Sequence, residues 1–395
     1  MTRHLWRLFG WLLMIGAMTA VVALASWWLL LPDREVRILV VDKTVPHPTY
    51  REHEALFWAL NHHKTIPPGH TRPWEVGRDY LGYVPPETGQ GTRYGVGTDL
   101  TDEHLTGVDL LFLADAYGVY RGDYDKPMAG GTHLDYSELL YGGYSEEEAR
   151  VVRRFAEHPG RHLVAEFNTF GSPTTGSSRE ILQDAFNVTW TGWTGRYLDE
   201  LGDRRDVPHW APRLYEAQTG KQWIYQGPGV LFVHEDQRIV VLQFGPDIGP
   251  VGPRYFVSDP ASPLMQGIAG DVPYLFWFDV VEPREGASVL GTFRLDVTES
   301  GKSLLDSFGL APEWPAVVLG RPDALRLYLA GDFSDNNLDR GPYWLSWWPR
   351  IAVRFGQDET FLDGRGFFFK VYVPLLGNVL DGIRSQPPSS GNGAS

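Results

Sequence analysis

The sequence predicts an α/β protein: a parallel sheet with helices on both faces, behind one N-terminal transmembrane helix. Three observations carry that expectation. Short apolar runs at 36–41 (VRILVV), 109–114 (DLLFLA) and 161–167 each run into a polar residue, the pattern of strands buried on both faces. Segments of helical spacing alternate with them, and strand–helix alternation means parallel pairing. At 395 residues the chain can also enclose a large core.

Residues 1–34 read as a signal anchor. Arg3, His4 and Arg7 precede an uncharged stretch from Phe9 to Leu31, long enough at roughly 1.5 Å per residue to cross a hydrocarbon slab of ~30 Å. Trp27 and Trp28 stand where an interfacial aromatic belt lies. Positive charge ahead of the span predicts a cytoplasmic N-terminus, an extracytoplasmic main domain and the lipid bilayer as partner. Ala23-Leu24-Ala25 matches a signal-peptidase site, but the apolar block WWLLL that follows favours an uncleaved anchor.

Residues 35–384 read as the α/β domain with insertions. After the first strand, 50–63 is helical, with Ala55, Leu56, Ala59 and Leu60 on one face. Residues 64–107 are mostly loop, with room for two short β pieces, and 116–144 is a Gly- and Tyr-rich loop. Ser145-Glu-Glu-Glu148 has capping-box spacing and opens a helix over 146–158. Ser177-Ser-Arg-Glu180 has the same spacing and predicts a helix over 178–186. WTGWTGRYLDELG (190–202) leads to a helix over 210–220. GVLFVHEDQRIVVLQF (229–244) reads as a β-hairpin turning at Glu235-Asp236-Gln237. Further strands fall at 275–281, 289–295, 315–320 and 325–330, and 371–383 is a closing helix. The Ser/Pro/Gly tail, 385–395, reads as disordered.

Composition narrows the function. The net charge of -14 argues against a nucleic-acid partner. The absence of cysteine excludes disulfides, thiolate metal sites and cysteine nucleophiles. The 15 Trp, 18 Tyr and 20 Phe supply either a heavily aromatic core or rings exposed for stacking on sugars. No Walker loop, GxGxxG or GxSxG is present, which argues against nucleotide binding and serine esterase chemistry.

The stretch HLVAEFNTFGSPT (162–174), with RILVVD, DLLFLAD and the helix–strand–turn–helix of 145–186, resembles the class I glutamine amidotransferase-like superfamily. It is closest to trehalose-utilisation-like and catalytically silent amidotransferase-like domains. ASPLMQGI (261–268) and the pair PAVVLG and LRLYLAGDF are similar to later segments of that family. The resemblance implies a flavodoxin-like sandwich over roughly 36–335, with a site at the carboxyl ends of the strands. The family's cysteine is missing and its catalytic His and Glu cannot be placed, so glutamine hydrolysis is excluded.

Strand ends would bring Asp42 and Lys43, Asp115 and Tyr117, and Glu166 and Asn168 to one rim. Asp332, Asp335 and Asn336 follow another apolar strand. Glu166, Asp115 and Asp42 are the candidate acid/base set, of the kind glycosidases use in pairs. Lys43, Tyr117, Asn168, Trp190, Trp193 and Arg196 are candidate ligand contacts, joined by Tyr197 in an aromatic platform and by Tyr50, Arg51 and Glu54 near the first turn. Against this stands the ordinary use of strand-end polar groups to cap helices and satisfy loop amides, and of Trp to fill cores. No cofactor is expected, and no metal: HExxH is absent, and His47, Asp42 and Asp115 would be the first ligands to consider. The expected function is binding or scaffolding at the cell envelope, with a glycan or membrane protein as partner. The alternative is a carbohydrate hydrolase using Glu166 and Asp115.

Overall fold

The computed structural model describes residues 2–86, 93–124, 137–203, 207–249, 252–321, 325–334, 340–355 and 364–385. The tail expected to be disordered lies outside these, as do Asp335 and Asn336.

The apolar N-terminal stretch is helix α1 (Thr2–Leu30). The chain then forms β1 (Ile38–Asp42), α2 (Arg51–His62), β2 (Leu81–Val84), β3 (Val96–Gly97), β4 (Leu110–Asp115), a ribbon of β5 (Val119–Tyr120) and β6 (Leu139–Tyr141), α3 (Glu146–Glu157), β7 (His162–Ala165) and α4 (Gly176–Phe186). Next come β8 (Val188–Leu198), α5 (Trp210–Thr219), β9 (Gly229–His234), β10 (Ile239–Gln243), β11 (Arg254–Val257), β12 (Val272–Pro273), β13 (Trp277–Pro283) and β14 (Ser288–Arg294). The last elements are α6 (Glu299–Ser307), β15 (Glu313–Leu319), β16 (Arg326–Leu329), α7 (Trp348–Phe355), α8 (Arg365–Phe367) and α9 (Val373–Ser385), with a π-helical turn over Phe368–Tyr372 between α8 and α9.

The main sheet runs β12-β11-β14-β15-β16-β7-β4-β1-β2-β3. Its centre, β16, β7, β4, β1 and β2, is parallel throughout. Side chains alternate across it with the period of two that strands impose. Ile38, Val40, Leu110, Phe112 and Val164 enter one core with α2 and α9. Val41, Leu111, Leu113, Leu163 and Ala165 enter a second with α3 and α4. Apolar residues at every position of these strands are therefore explained by two covered faces. The flavodoxin-like expectation holds for this centre, while β11, β12, β14 and β15 extend it antiparallel.

A second, antiparallel sheet, β10-β9-β8-β13, lies over the first core. Val230, Phe232, Val240 and Leu242 point inward, while Leu231, Ile239 and Val241 meet α5 on the outside. The predicted hairpin is β9–β10. Two local expectations change. WTGWTGRYL does lead to the predicted helix, α5, but is itself part of the eleven-residue strand β8; its Thr, Trp and Tyr are strand formers that pack on a pleated, half-buried surface. The box at Ser177 does not form. Helix α4 begins at Gly176, inside which Ser177 is already helical, and its hydroxyl donates to Glu146 at 2.6 Å. The box at Ser145 does form: the hydroxyl accepts from the Glu148 amide and Glu148 accepts from the Ser145 amide.

Candidate functional site

Strands β1, β4 and β7 are neighbours and parallel, so their carboxyl ends reach one edge of the sheet, with Asp42 opposite Asp115 in register. What happens to each polar side chain there decides what the edge can do.

Asp42 is fully buried. One oxygen accepts from the Thr44 amide at 2.8 Å, and the other meets His53 Nδ1 at 2.6 Å. His53 Nε2 faces the Val76 carbonyl at 2.8 Å. A carbonyl only accepts, so Nε2 carries a proton and a second lies between Nδ1 and the carboxylate. The ring is wedged between Phe57 and Tyr80, with centroids 4.8 and 4.6 Å away. His53 was not among the residues expected at this edge. Its place one turn into α2, after the αL residue Tyr50, is the signal that it faces the strand end.

Lys43 is 1% exposed. Its ammonium donates to Glu148 at 2.6 Å and to the Gly143 carbonyl at 2.8 Å, and lies 4.8 and 4.9 Å from the ring centroids of Tyr141 and Tyr144. It locks the end of β1 to the first turn of α3 instead of waiting for a ligand. Asp115 accepts from the Tyr117 amide at 2.7 Å in a local turn. By strand alternation it follows Leu113 onto the α3/α4 face. The phenols of Tyr144 and Tyr328 in that layer are raised by burial first and then by nearby carboxylates that include Asp115.

Glu166 turns the opposite way. Oε2 accepts from both the amide and the hydroxyl of Ser334, at 3.0 and 2.7 Å, and Oε1 accepts from the Tyr372 hydroxyl at 2.8 Å. Burial pushes its carboxyl up to about 7 against these hydrogen bonds, which favour the charged form. Asn168 adopts φ +66° at the turn, a conformation Asn tolerates, and Gly171 must lack a side chain because a Cβ there would fall 2.3 Å from the Asn168 amide oxygen. The Asn168 amide donates to Asp279 at 3.1 Å. Asp279, on β13, also accepts from Tyr328 at 2.6 Å and Thr194 at 3.0 Å, and burial pushes it up to about 6.

The three expected acids thus share an edge but not a cavity. Asp42 goes to α2, Glu166 to the π turn before α9, and Asp115 to the opposite layer. The aromatic platform is corrected as well. Trp190 and Trp193 lie in two different cores. The Trp190 indole donates to the Trp193 carbonyl at 2.9 Å with the Arg179 guanidinium over its ring, and Trp193 meets His234 edge-on. A strand with one ring on each face cannot present both to a sugar. Arg196 is half-buried and lies over Trp277, and Tyr197 is buried. Tyr117 is the exposed member of the ligand set, at 42%. Arg51 pairs with Glu52, Glu54 with Arg340, and His47 packs beside Tyr124. Asp332 is buried at the end of β16. Among the described residues no group of three His, Asp or Glu is placed to hold a metal ion, and Asp42 has both oxygens engaged already.

Open space lies at the other edge. A cavity of about 800 Å3 is lined by Asp102, Thr106, Arg154, His158 and Arg161, just ahead of β4 and β7. A second, of about 310 Å3, is lined by residues that precede β1, by Lys64 after α2, and by Ser346 and Arg384.

No family model matches the chain, and no curated protein matches it. Among solved structures it is similar to a glutamine amidotransferase from Thermotoga maritima, at 11% identity and a TM-score of 0.36, over 89% of this chain and 99% of that one. At that level the likeness carries no argument about activity.

Proposed function

We propose that the chain is held in a membrane by α1 and serves there as a non-catalytic binding or scaffolding domain, its α/β body on the extracytoplasmic side of the cell envelope. The observation that carries the non-catalytic reading is Glu166. Both of its oxygens are taken by Ser334 and Tyr372, a residue 206 positions away in sequence, and the side chain is buried. A general acid needs contact with the bond it protonates. The anchoring reading is supported by the 25-residue apolar stretch Trp6–Leu30, whose most apolar window buries nothing in the fold, and by Arg3 and Arg7 ahead of its uncharged part from Phe9.

The docking of Trp28 lies beyond the Ala23-Leu24-Ala25 sequence, so cleavage there would leave it in place. The mass of the mature chain decides between anchor and signal peptide: an anchored chain keeps its first residues and resists carbonate extraction. Turnover of envelope polysaccharides or chromogenic glycosides by the purified full chain, abolished in Glu166→Gln, would establish the hydrolase instead.

A further inference from the structure

The end of α1 is built into the domain. The Trp28 indole is 8% exposed and donates to the His62 carbonyl at 3.1 Å. The Lys64 ammonium sits 4.4 Å from its centroid, and Tyr343 meets it edge-on at 5.7 Å. These contacts fix which face of the domain lies at the level where the apolar helix stops. On that face, Trp27, Trp344 and Trp347 are 60%, 41% and 49% exposed. Arg350 lies over the Trp347 ring at 5.0 Å. In α7, Trp348, Ala352 and Val353 pack toward the core while Arg350 and Arg354 are exposed. Exposed indoles beside guanidinium groups are the chemistry of a bilayer interface.

The cavity of about 310 Å3 opens between these parts. Trp28, Leu31 and Pro32 give it an apolar wall on the helix side, and Arg34, Lys64 and Arg384 give it cations on the domain side. His62 and His63 add no charge: burial lowers both, His63 to about 3. Arg34 and Lys64 pair with Asp381 and Asp33, acids that are 63% and 50% exposed. Ser346 lines the same cavity, and its buried hydroxyl has no hydrogen-bond partner.

We infer that this face is a phospholipid site: the phosphate of an anionic headgroup seats among Arg34, Lys64, Arg384 and the Ser346 hydroxyl, while Trp344 and Trp347 enter the interfacial layer. The inference rests on α1 spanning the membrane. Its apolar wall selects a lipid over a free phosphate, because a small anion has nothing to place against Trp28, Leu31 and Pro32.

The test uses the full chain in nanodiscs of phosphatidylcholine with a minor share of phosphatidylglycerol, read by native mass spectrometry for retained lipid. Phosphatidylglycerol should be retained over phosphatidylcholine, and Lys64→Gln with Arg384→Gln should cut that preference on the order of tenfold with the melting temperature unchanged. Trp344→Ser with Trp347→Ser should reduce the share of emission that headgroup-proximal brominated lipid quenches, leaving that of Trp27. Equal retention of the two lipids, a preference untouched by the charge variants, or displacement of the lipid by millimolar inorganic phosphate would each overturn the site. If carbonate extracts the chain from vesicles, the span and the site fall together. A chain that resists carbonate yet shows no lipid preference keeps the span and loses only the site.

Discussion

At the carboxyl edge of the parallel sheet, Asp42, Lys43 and Glu166 are each consumed by a partner from another layer: His53, Glu148, and the pair Ser334 and Tyr372. At the amino edge, Arg34, Lys64 and Arg384 face a cavity beside the end of an apolar helix. The same residue types thus serve opposite ends. Where helices and a second sheet close over the strands, buried polar groups must find partners within the chain. Where the chain enters from α1, Arg34 and Lys64 pair with the more exposed acids Asp381 and Asp33 beside an open cavity. At the edge that an α/β sheet ordinarily offers to ligands, Asp42, Lys43 and Glu166 here hold layers together.

That contrast can be broken most directly at Glu166. Glu166→Ala leaves Ser334 and Tyr372 without their acceptor and opens a hole, and should cost about 3–5 kcal/mol of stability, measured by denaturant unfolding in detergent. A loss below about 1 kcal/mol would mean that this edge is open.

The next largest effect is in pH. The Glu166 carboxyl is raised in the folded state from 4.5 to about 7, so the native chain binds the extra proton. Its contribution is fully present below pH 4.5 and is lost as pH rises through about 7, a change on the order of 3 kcal/mol. Glu166→Gln should flatten the stability profile in that window. Asp279, raised from 3.8 to about 6, adds the same sign over its own range. A profile that rises with pH across that window would contradict the buried placement of both.

Tyr328→Phe removes one hydrogen bond to Asp279 and should cost about 1.5–3 kcal/mol, seen as a lower melting temperature. At the amino edge, Trp344→Ser and Trp347→Ser should each change stability by about 0.5 kcal/mol or less, because the rings are exposed. A large loss there would place them in a core and erase the contrast between the edges.

Much of the fold was legible because its signals are local. The run ILVVD reports two covered faces by lacking polar alternation. Ser145 and Glu148 carry a cap within four residues, and Phe9 to Leu31 carries its own length and composition. β8 was missed because glycines break up the Thr/Trp alternation that marks a strand, and its packing partners β9 and β13 come later in the chain.

The sequence by itself determined the apolar helix, the parallel centre of the sheet and the delivery of Asp42, Asp115 and Glu166 to one edge, since periodicity and strand ends are properties of neighbouring residues. Only the tertiary structure decided that Glu166 meets Tyr372, that Asp42 meets His53, and that Trp190 and Trp193 enter separate cores. Those outcomes depend on which distant layer covers each face, and the cost of burying a polar group without a partner is settled only when that layer arrives.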